Sequence, residues 1–290
     1  MSRSTADPVG SDLSGASASC KSADVTVIVC PLVIDSDPVV LLHGQPGSAR
    51  DWDLVVPHLI GRAPLLAFDR PGYDGVSEPG GIEHSARATI ARMDADGIDR
   101  ATIAGLSFGG GVAAWIAAHN PERVRALVLI SAAANRAALH PVDRLLAAPV
   151  AGRLASGALV SGAGLALSSR RLAQRFAKRH AVPADFLHAT GQRMRTGATR
   201  RTFLVEQRAM LKELPILEEL LPTITTPTTV VVGTADTVVG AKSGRLLARQ
   251  IPDATLIEIE GGRHALTATH GPLVAQLILA ATAAGVAEQL

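Results

Sequence analysis

The chain has 290 residues, which suits one large α/β domain with an insertion but not two large domains. Hydrophobic residues make up 47% and charged residues 19%, so a sizeable core can form and wholesale disorder is excluded. The 28 basic and 26 acidic residues give a net charge of +2, which argues against the whole chain acting as a nucleic-acid binder. Two cysteines are too few for a disulfide scaffold or a cysteine-rich zinc module.

The N-terminal region is predicted to carry no membrane or export signal. Residues 1–23 are rich in serine and lack an apolar stretch, so we expect a flexible tail. The ten-residue apolar run 25–34 is far shorter than the roughly 20 residues of a spanning helix, and its β-branched residues favour a buried strand. We therefore expect a cytoplasmic protein with no integral membrane segment and with reduced cysteines.

Short apolar runs then alternate with helical patterns. Continuous apolar runs predict strands that are buried on both faces, and they occur at 39–42, 64–68, 101–105 and 124–130. Helical patterns lie between them at 86–96 and 109–119. This alternation predicts a mainly parallel sheet with right-handed crossover connections.

Residues 134–222, called the helical segment below, break this alternation. The segment shows no strand pattern, and its 14 basic and six acidic residues give it a net charge of +8, which leaves −6 for the rest. A cationic cluster lies at Arg170, Arg171, Arg175, Lys178 and Arg179. It could attract an anionic substrate or a membrane surface, although a solvated helix face is the more common reason for such a cluster.

Apolar side chains of the same segment could line a pocket, but packing between helices is the commoner role for each. They are Phe176, Phe186, Met194, Phe203 and Met210. After the segment, the pattern predicts strands at 228–232 and 255–259, a helix at 242–250 between them, and mostly helix from residue 267 onward.

Gly105-Leu106-Ser107-Phe108-Gly109 follows an apolar strand and precedes a helical run. This Gly-x-Ser-x-Gly pattern is typical of a nucleophile on a sharp strand-to-helix turn, where side chains two residues either side would clash. The pattern alone is weak, because a serine in such a turn can simply cap the helix. Its context between a strand and a helix favours the nucleophile.

A nucleophilic serine needs a base, and the base needs an acid to orient it. Asp236 and His264 each follow a predicted strand, so both fall at the sheet edge where Ser107 lies. Asp236 could instead cap a turn, and His270 is a rival base that lies farther from the strand end. No carboxylate follows the strand that ends at Ile130, which strengthens Asp236.

The loop His43-Gly44-Gln45-Pro46-Gly47 follows the strand 39–42. Acyl transfer develops negative charge on the carbonyl oxygen, which fixed backbone N–H donors stabilise. We expect these donors to be the amides of Gln45 and Phe108. His43 is expected to organise the loop through hydrogen bonds, and the Gln45 side chain is a possible substrate contact.

Five segments resemble the α/β-hydrolase superfamily in their order and separation. They are 43–47, 69–73, 105–110, 233–236 and 262–264. The resemblance covers residues 36–290 and implies the α/β-hydrolase fold, a mostly parallel central sheet flanked by helices. It implies that Ser107, Asp236 and His264 form a triad. It further implies a core of residues 24–133 and 223–290, with 134–222 inserted as a helical cap over the active site.

The chain departs from the superfamily pattern in two places. One convincing strand, instead of the usual two antiparallel ones, precedes the His-Gly loop, which predicts a shortened sheet edge. Ser107 also stands where the similar haloalkane dehalogenases and epoxide hydrolases carry Asp, so those two activities are set aside.

The resemblance implies a serine hydrolase that cleaves a carboxylic ester or related acyl compound through an acyl-enzyme. We expect a small-molecule substrate, no nucleic-acid partner, no cofactor and no metal, since metal-binding and nucleotide-binding motifs are missing from the sequence. The alternatives are a C–C bond hydrolase or a haloperoxidase-like perhydrolase with the same triad, or a non-hydrolytic small-molecule binder. Substrate-binding residues and the oligomeric state stay open.

Overall fold

A seven-stranded sheet forms the centre of the computed structural model, which describes residues 27–30, 36–180 and 182–287. Its order is β1-β3-β2-β4-β5-β6-β7. The strands are β1 (Val27–Cys30), β2 (Val39–Leu42), β3 (Leu65–Phe68), β4 (Ala101–Leu106), β5 (Val124–Ile130), β6 (Thr228–Gly233) and β7 (Thr255–Ile259). β1 runs antiparallel to β3, and the other adjacent strands are parallel. The predicted mostly parallel sheet is confirmed.

Helices cover the sheet and fill the helical segment. They are α1 (Ile82–Ala95), α2 (Phe108–His119), α3 (Pro141–Ala147), α4 (Ala151–Ser168), α5 (Arg170–His180), α6 (Ala184–Met194), α7 (Gly197–Leu220), α8 (Ala241–Gln250), α9 (Leu266–Thr269) and α10 (Gly271–Ala287). Of the helices with predicted bounds, α2, α8 and the start of α9 agree to within one residue. The predicted tail, residues 1–23, lies outside the described residues.

The continuous apolar strands are explained by burial on both faces of the sheet. Leu127 and Leu129 of β5 join a hydrophobic cluster with α1, α2 and α8, whereas Val128 and Ile130 join a second cluster that includes α10. Successive side chains of a strand point to opposite faces, so a strand that is covered twice needs apolar residues at every position.

The first helix starts earlier than its sequence pattern predicts. α1 begins at Ile82 instead of Ala86, through the polar residues Glu83 and His84. The N–H of Ile82 donates to the carboxylate of Glu213 on α7 at 2.5 Å. This contact satisfies an otherwise unpaired first-turn donor, and it is a tertiary contact that no local pattern reveals.

Helices α3–α7 of the helical segment lie between β5 and β6 in the chain. α4 packs against α6 at a close approach of two glycines, because a Cβ on Gly164 would lie 3.0 Å from the carbonyl oxygen of Gly191. α7 returns the chain to the core and contacts α1 and α2. No single described helix has the length and apolarity to cross a membrane. The combined residues of α3 and α4 meet that criterion by length and composition alone, and the two helices are bent by 108°.

Central-strand packing sets the stability of this core. Leu127→Ala should lower the free energy of unfolding by about 2–5 kcal/mol, because it leaves a cavity in a fully buried strand. Val76, which is 82% exposed, is the matched control, and Val76→Ala should change the free energy of unfolding by less than about 0.5 kcal/mol. Urea denaturation measures both; equal losses would contradict the assigned burial.

Candidate active site

Ser107 occupies the sharp turn between β4 and α2. Its backbone lies at φ 53° and ψ −118°, a conformation that L-residues rarely adopt. A Cβ at Gly105 would collide with the carbonyl of Gly109, and a Cβ at Gly109 would collide with the carbonyl of Leu42. The two glycines of the motif therefore make this turn sterically possible, and Ser107 is held at the N-terminal end of α2.

Asp236 and His264 meet across the ends of β6 and β7. Asp236 Oδ2 lies 2.9 Å from His264 Nδ1, and Asp236 Oδ1 accepts hydrogen bonds from the amides of Val238 and Val239 at 2.8 and 3.2 Å. Burial raises the pKa of Asp236, but the hydrogen bond and charge of His264 and the two amides outweigh it, so its pKa falls below the ordinary value. The group is thus a carboxylate that fixes the orientation of the imidazole.

The three predicted residues reach the same edge of the sheet, but they are not all hydrogen-bonded. Ser107 and His264 line one cavity. Within the described part of the chain, no hydrogen bond joins the Ser107 hydroxyl to the imidazole. Such contacts often tighten when substrate binds. The rival His270 contacts the hydroxyl of Thr269 at 2.8 Å and is not among the described residues that line the cavity.

Two backbone amides near Ser107 have no acceptor among the described residues. They are the N–H groups of Gln45 and Phe108, the pair that the sequence predicts as oxyanion donors. The loop carrying Gln45 lies directly against the serine, since a Cβ on Gly44 would be 3.2 Å from Ser107 Cβ. Phe108 begins α2, whose positive dipole end favours negative charge at the same place.

A buried guanidinium holds this loop in place. Arg70 is fully buried and donates to the carbonyls of His43 and Gly44 at 3.1 and 2.8 Å. It also forms an ion pair with Glu206 of α7 at 2.5 Å, and the Tyr73 hydroxyl donates to the other oxygen of that carboxylate at 2.7 Å. The loop that precedes Gln45 is thus tied directly to the helical segment.

His43 completes this network as a neutral ring. Its Nε2 accepts the backbone N–H of Arg70 at 2.9 Å, and its Nδ1 lies 2.8 Å from the carbonyl oxygen of Gly44. Burial and the charge of Arg70 hold the pKa of His43 well below its usual value. Burial raises the pKa of Glu206, with Arg70 and Tyr73 opposing the shift. His43 therefore organises the loop, as expected.

The cavity beside Ser107 has a volume of about 430 Å³. Its walls are mostly apolar, and the helical segment contributes Leu167, Phe176, Val182, Phe186 and Leu187. Of the five apolar residues that the sequence suggested, Phe176 and Phe186 line the cavity. The others pack inside the protein, with Met210 in the main core and with Phe203 and Met194 in a smaller cluster.

Asp51 is a cavity residue that the sequence did not reveal. It lines the same cavity as Ser107 and stands near Arg193 of α6, with which it lines a second, small cavity. Burial raises its pKa from 3.8 to about 7, although the charge of Arg193 opposes the shift. The position of Asp51 beside Arg193 depends on how α6 folds over the loop, so no local pattern could identify it.

No group of three or more His, Cys, Asp or Glu side chains in the described ranges could hold a metal ion. A serine on a strained turn, an imidazole oriented by a carboxylate and two unpaired amides can together support attack of a hydroxyl on a carbonyl.

Comparisons with known proteins identify the family of the chain. A family model for the alpha/beta hydrolase fold matches residues 37–270. The chain is 29% identical over 242 residues to a pimeloyl-[acyl-carrier protein] methyl ester esterase of Neisseria meningitidis, covering 82% of this chain and 91% of that relative. A shorter match, 36% identical over 103 residues, is to a 2-hydroxy-6-oxo-2,4-heptadienoate hydrolase of Pseudomonas putida and covers 33% of this chain and 37% of that protein.

A solved esterase from Thermogutta terrifontis has the same fold, with a TM-score of 0.69 and 22% identity over 88% of this chain and 91% of that one. Because the family model spans most of the chain, the protein belongs to the α/β-hydrolase family. The predicted family, fold and enzyme class, a hydrolase, are confirmed.

The ion pair between Arg70 and Glu206 should matter strongly for stability. Glu206→Ala leaves a fully buried guanidinium without its counter-charge and should lower the free energy of unfolding by about 3–5 kcal/mol. Glu78→Ala is the control, because it removes an exposed ion pair to Arg201, which lies on α7 like Glu206. It should lower the free energy of unfolding by at most about 1 kcal/mol. Urea denaturation compares the two, and similar losses would contradict this role.

Asp51 should give stability a distinctive pH dependence. Its pKa is higher in the folded protein than in the unfolded chain, so folding favours the protonated form and this contribution is lost as pH rises from about 4 to about 7. Relative to Asp51→Asn, the natural protein should lose up to about 1.4 kcal/mol per pH unit in that window. Urea unfolding of both proteins across the window measures this, and a constant difference would refute it.

Proposed function

We propose that the protein hydrolyses carboxylic esters through a triad of Ser107, His264 and Asp236. The observation that carries this proposal is the 2.9 Å contact between His264 and Asp236 at the cavity that contains Ser107. A carboxylate that orients an imidazole beside a serine on a strained turn is the arrangement that activates a hydroxyl nucleophile.

In the first half of the reaction, Ser107 Oγ bonds to the ester carbonyl carbon while His264 Nε2 accepts the hydroxyl proton. Asp236 keeps Nδ1 of the ring protonated and stabilises the imidazolium. The ester oxygen then leaves with the proton from His264 Nε2, which releases the alcohol and leaves an acyl group on Ser107.

The Gln45 and Phe108 amides stabilise the tetrahedral intermediates. Both donate to the oxyanion, and each fixed donor of this kind contributes on the order of a hundredfold or more to the rate. Arg70 supports one of the two donors indirectly, because it holds the carbonyls of His43 and Gly44 just before Gln45.

In the second half, His264 Nε2 takes a proton from water, and the resulting hydroxide attacks the acyl carbon. The acyl–oxygen bond to Ser107 breaks, Ser107 regains its proton from His264, and a carboxylic acid is released. These steps use protein groups and water.

The helical segment acts in this proposal as a cap that shapes the acyl site. Its apolar side chains form one wall of the cavity of about 430 Å³, which suits a small or medium-sized acyl compound with little charge. The Neisseria relative is named for a methyl ester and the Pseudomonas relative for 2-hydroxy-6-oxo-2,4-heptadienoate. The longer match favours ester chemistry.

The triad can be tested with an active-site probe and a substrate panel. Ser107→Ala should reduce turnover of p-nitrophenyl esters at least a thousandfold, because the nucleophile is lost, and should abolish labelling by a fluorophosphonate. Ser77→Ala, at an exposed position, should leave both unchanged. Mass spectrometry of the labelled peptide locates the modified serine.

The base has a matched control in the same region. His264→Ala should reduce turnover by several orders of magnitude, while His270→Ala should have little effect.

Loss of less than about tenfold in Ser107→Ala would refute the proposal. Labelling without ester turnover, together with cleavage of a β-diketone, would assign C–C hydrolysis instead.

A further inference from the structure

Helix α4 is apolar around almost its whole circumference. Among its 18 residues, Arg153 is the single charged one. Its inward face consists of Gly152, Ser156, Val160 and Gly164, which are buried at i, i+4 spacing. These small residues let α6 approach closely, and they account for packing on this face alone.

The outward face of α4 carries leucines in contact with solvent. Leu154, Leu159 and Leu165 are 75%, 51% and 62% exposed. A helix that is apolar on all sides is ordinarily buried in a protein core or in lipid, whereas a surface helix carries charge on its outer side. This face therefore lacks the polar residues that a water-facing helix ordinarily has.

The next helix along the chain, α5, is strongly cationic. Its exposed basic residues are Arg170, Arg171, Arg175, Lys178 and Arg179. The surrounding stretch 144–184 holds seven Lys and Arg and no Asp or Glu. An apolar helix is thus followed, after Ser169, by a helix whose positive charges have no local acidic partners.

The two helices form one surface that leads to the active site. Gly162 and Leu165 of α4 and Leu172 of α5 line a shared surface groove. One turn farther along α5, Phe176 is 46% exposed and also lines the cavity that contains Ser107. Exposed apolar side chains therefore continue from the outer face of α4 to the wall of the catalytic cavity.

We infer that the outer face of α4 and α5 docks onto an anionic lipid bilayer, with the leucines in the acyl boundary and the cations at the headgroups. We call this surface the lipid face; it comprises Leu154, Leu159, Leu165, Leu172 and the five cations of α5. Apolar burial and attraction to anionic lipids are the two contributions that peripheral membrane binding combines. This property is independent of the triad and of ester hydrolysis.

The composition of the lipid face favours a bilayer over a protein partner. Apart from Arg153, the exposed residues of α4 are aliphatic or small, with no aromatic side chain, whereas protein interfaces are enriched in Trp and Tyr anchors in shaped pockets. A second copy of the chain is disfavoured, because a symmetric contact would place the cations of α5 against themselves. An aliphatic face beside cations that have no acidic residue near them in the chain fits a fluid, negatively charged surface.

Sedimentation with lipid vesicles tests the inference on the full chain. The protein should pellet with phosphatidylcholine vesicles that contain about one third phosphatidylglycerol, and much less with pure phosphatidylcholine. Binding should weaken as salt rises toward about 1 M, where the Debye length falls to about 3 Å.

Matched triple variants separate the lipid face from net charge. Replacing Arg171, Arg175 and Lys178 by Gln should lower the partition coefficient by on the order of a hundredfold, at about fivefold per cation. The control, with Arg62, Arg87 and Arg249 replaced by Gln, removes the same charge from other exposed positions and should change it far less.

The apolar contribution has its own pair of variants. Leu154→Ser with Leu165→Ser should reduce vesicle binding several-fold, whereas Ile60→Ser with Val76→Ser, also at exposed positions, should not. Circular dichroism and urea midpoints verify that each variant is folded, so loss of binding is not loss of structure.

Four results would overturn the inference. They are no vesicle binding at low salt, equal binding to neutral and anionic vesicles, equal losses in the two triple variants, and tighter retention on immobilised poly-glutamate than on anionic vesicles. The last would assign the face to an acidic protein. Because binding is measured without substrate, failure here leaves the triad proposal intact, and an inactive Ser107→Ala protein should still bind vesicles.

Discussion

Parallel strands that are covered on both faces must all end at the same edge of the sheet, and the rest of this protein depends on that constraint. Six of the seven strands run in one direction, so β4, β6 and β7 deliver Ser107, Asp236 and His264 to one rim. The residues are far apart in the chain, yet no long excursion is needed to bring them together. The same arrangement points the N-terminus of α2 at the cavity.

The second constraint is electrostatic. A guanidinium as deeply buried as that of Arg70 is stable only with partners. It donates hydrogen bonds to two loop carbonyls and forms an ion pair with Glu206 of α7. The loop beside Ser107 and the helical segment therefore depend on one another. A change in the packing of α7 would be felt at the loop that carries Gln45, which links the shape of the cavity to the fixed donors of the proposed oxyanion site.

The helical segment presents different chemistry on its two sides. Inside, Gly164 and Gly191 let α4 and α6 pack tightly, and Phe176 and Phe186 contribute apolar walls to the cavity. Outside, α4 exposes leucines and α5 exposes cations. The five cations of α5 contribute much of the net charge of +8 in this segment of an otherwise acidic chain. They lie on the same helix as Phe176, which lines the cavity.

Local patterns in the sequence determine the sheet, the positions of α2 and α8, and the turn at Ser107. They succeed because strand burial, helix periodicity and the need for Gly105 and Gly109 act over a few residues. Asp236 and His264 are predictable as candidates because each directly follows a strand.

The tertiary structure alone decided which distant groups meet. The early start of α1 rests on Glu213, the fixed loop rests on Glu206, and the raised pKa of Asp51 rests on burial beneath the helical segment. The first two effects join residues more than a hundred positions apart, and the third depends on desolvation. Neither long-range contacts nor desolvation produces a periodic pattern in the sequence. The packing of α4 and α5 likewise decided whether Leu165 and Phe176 lie in the core or at the surface. The sequence pattern cannot decide this, because buried and exposed apolar residues can occur at the same helical spacing.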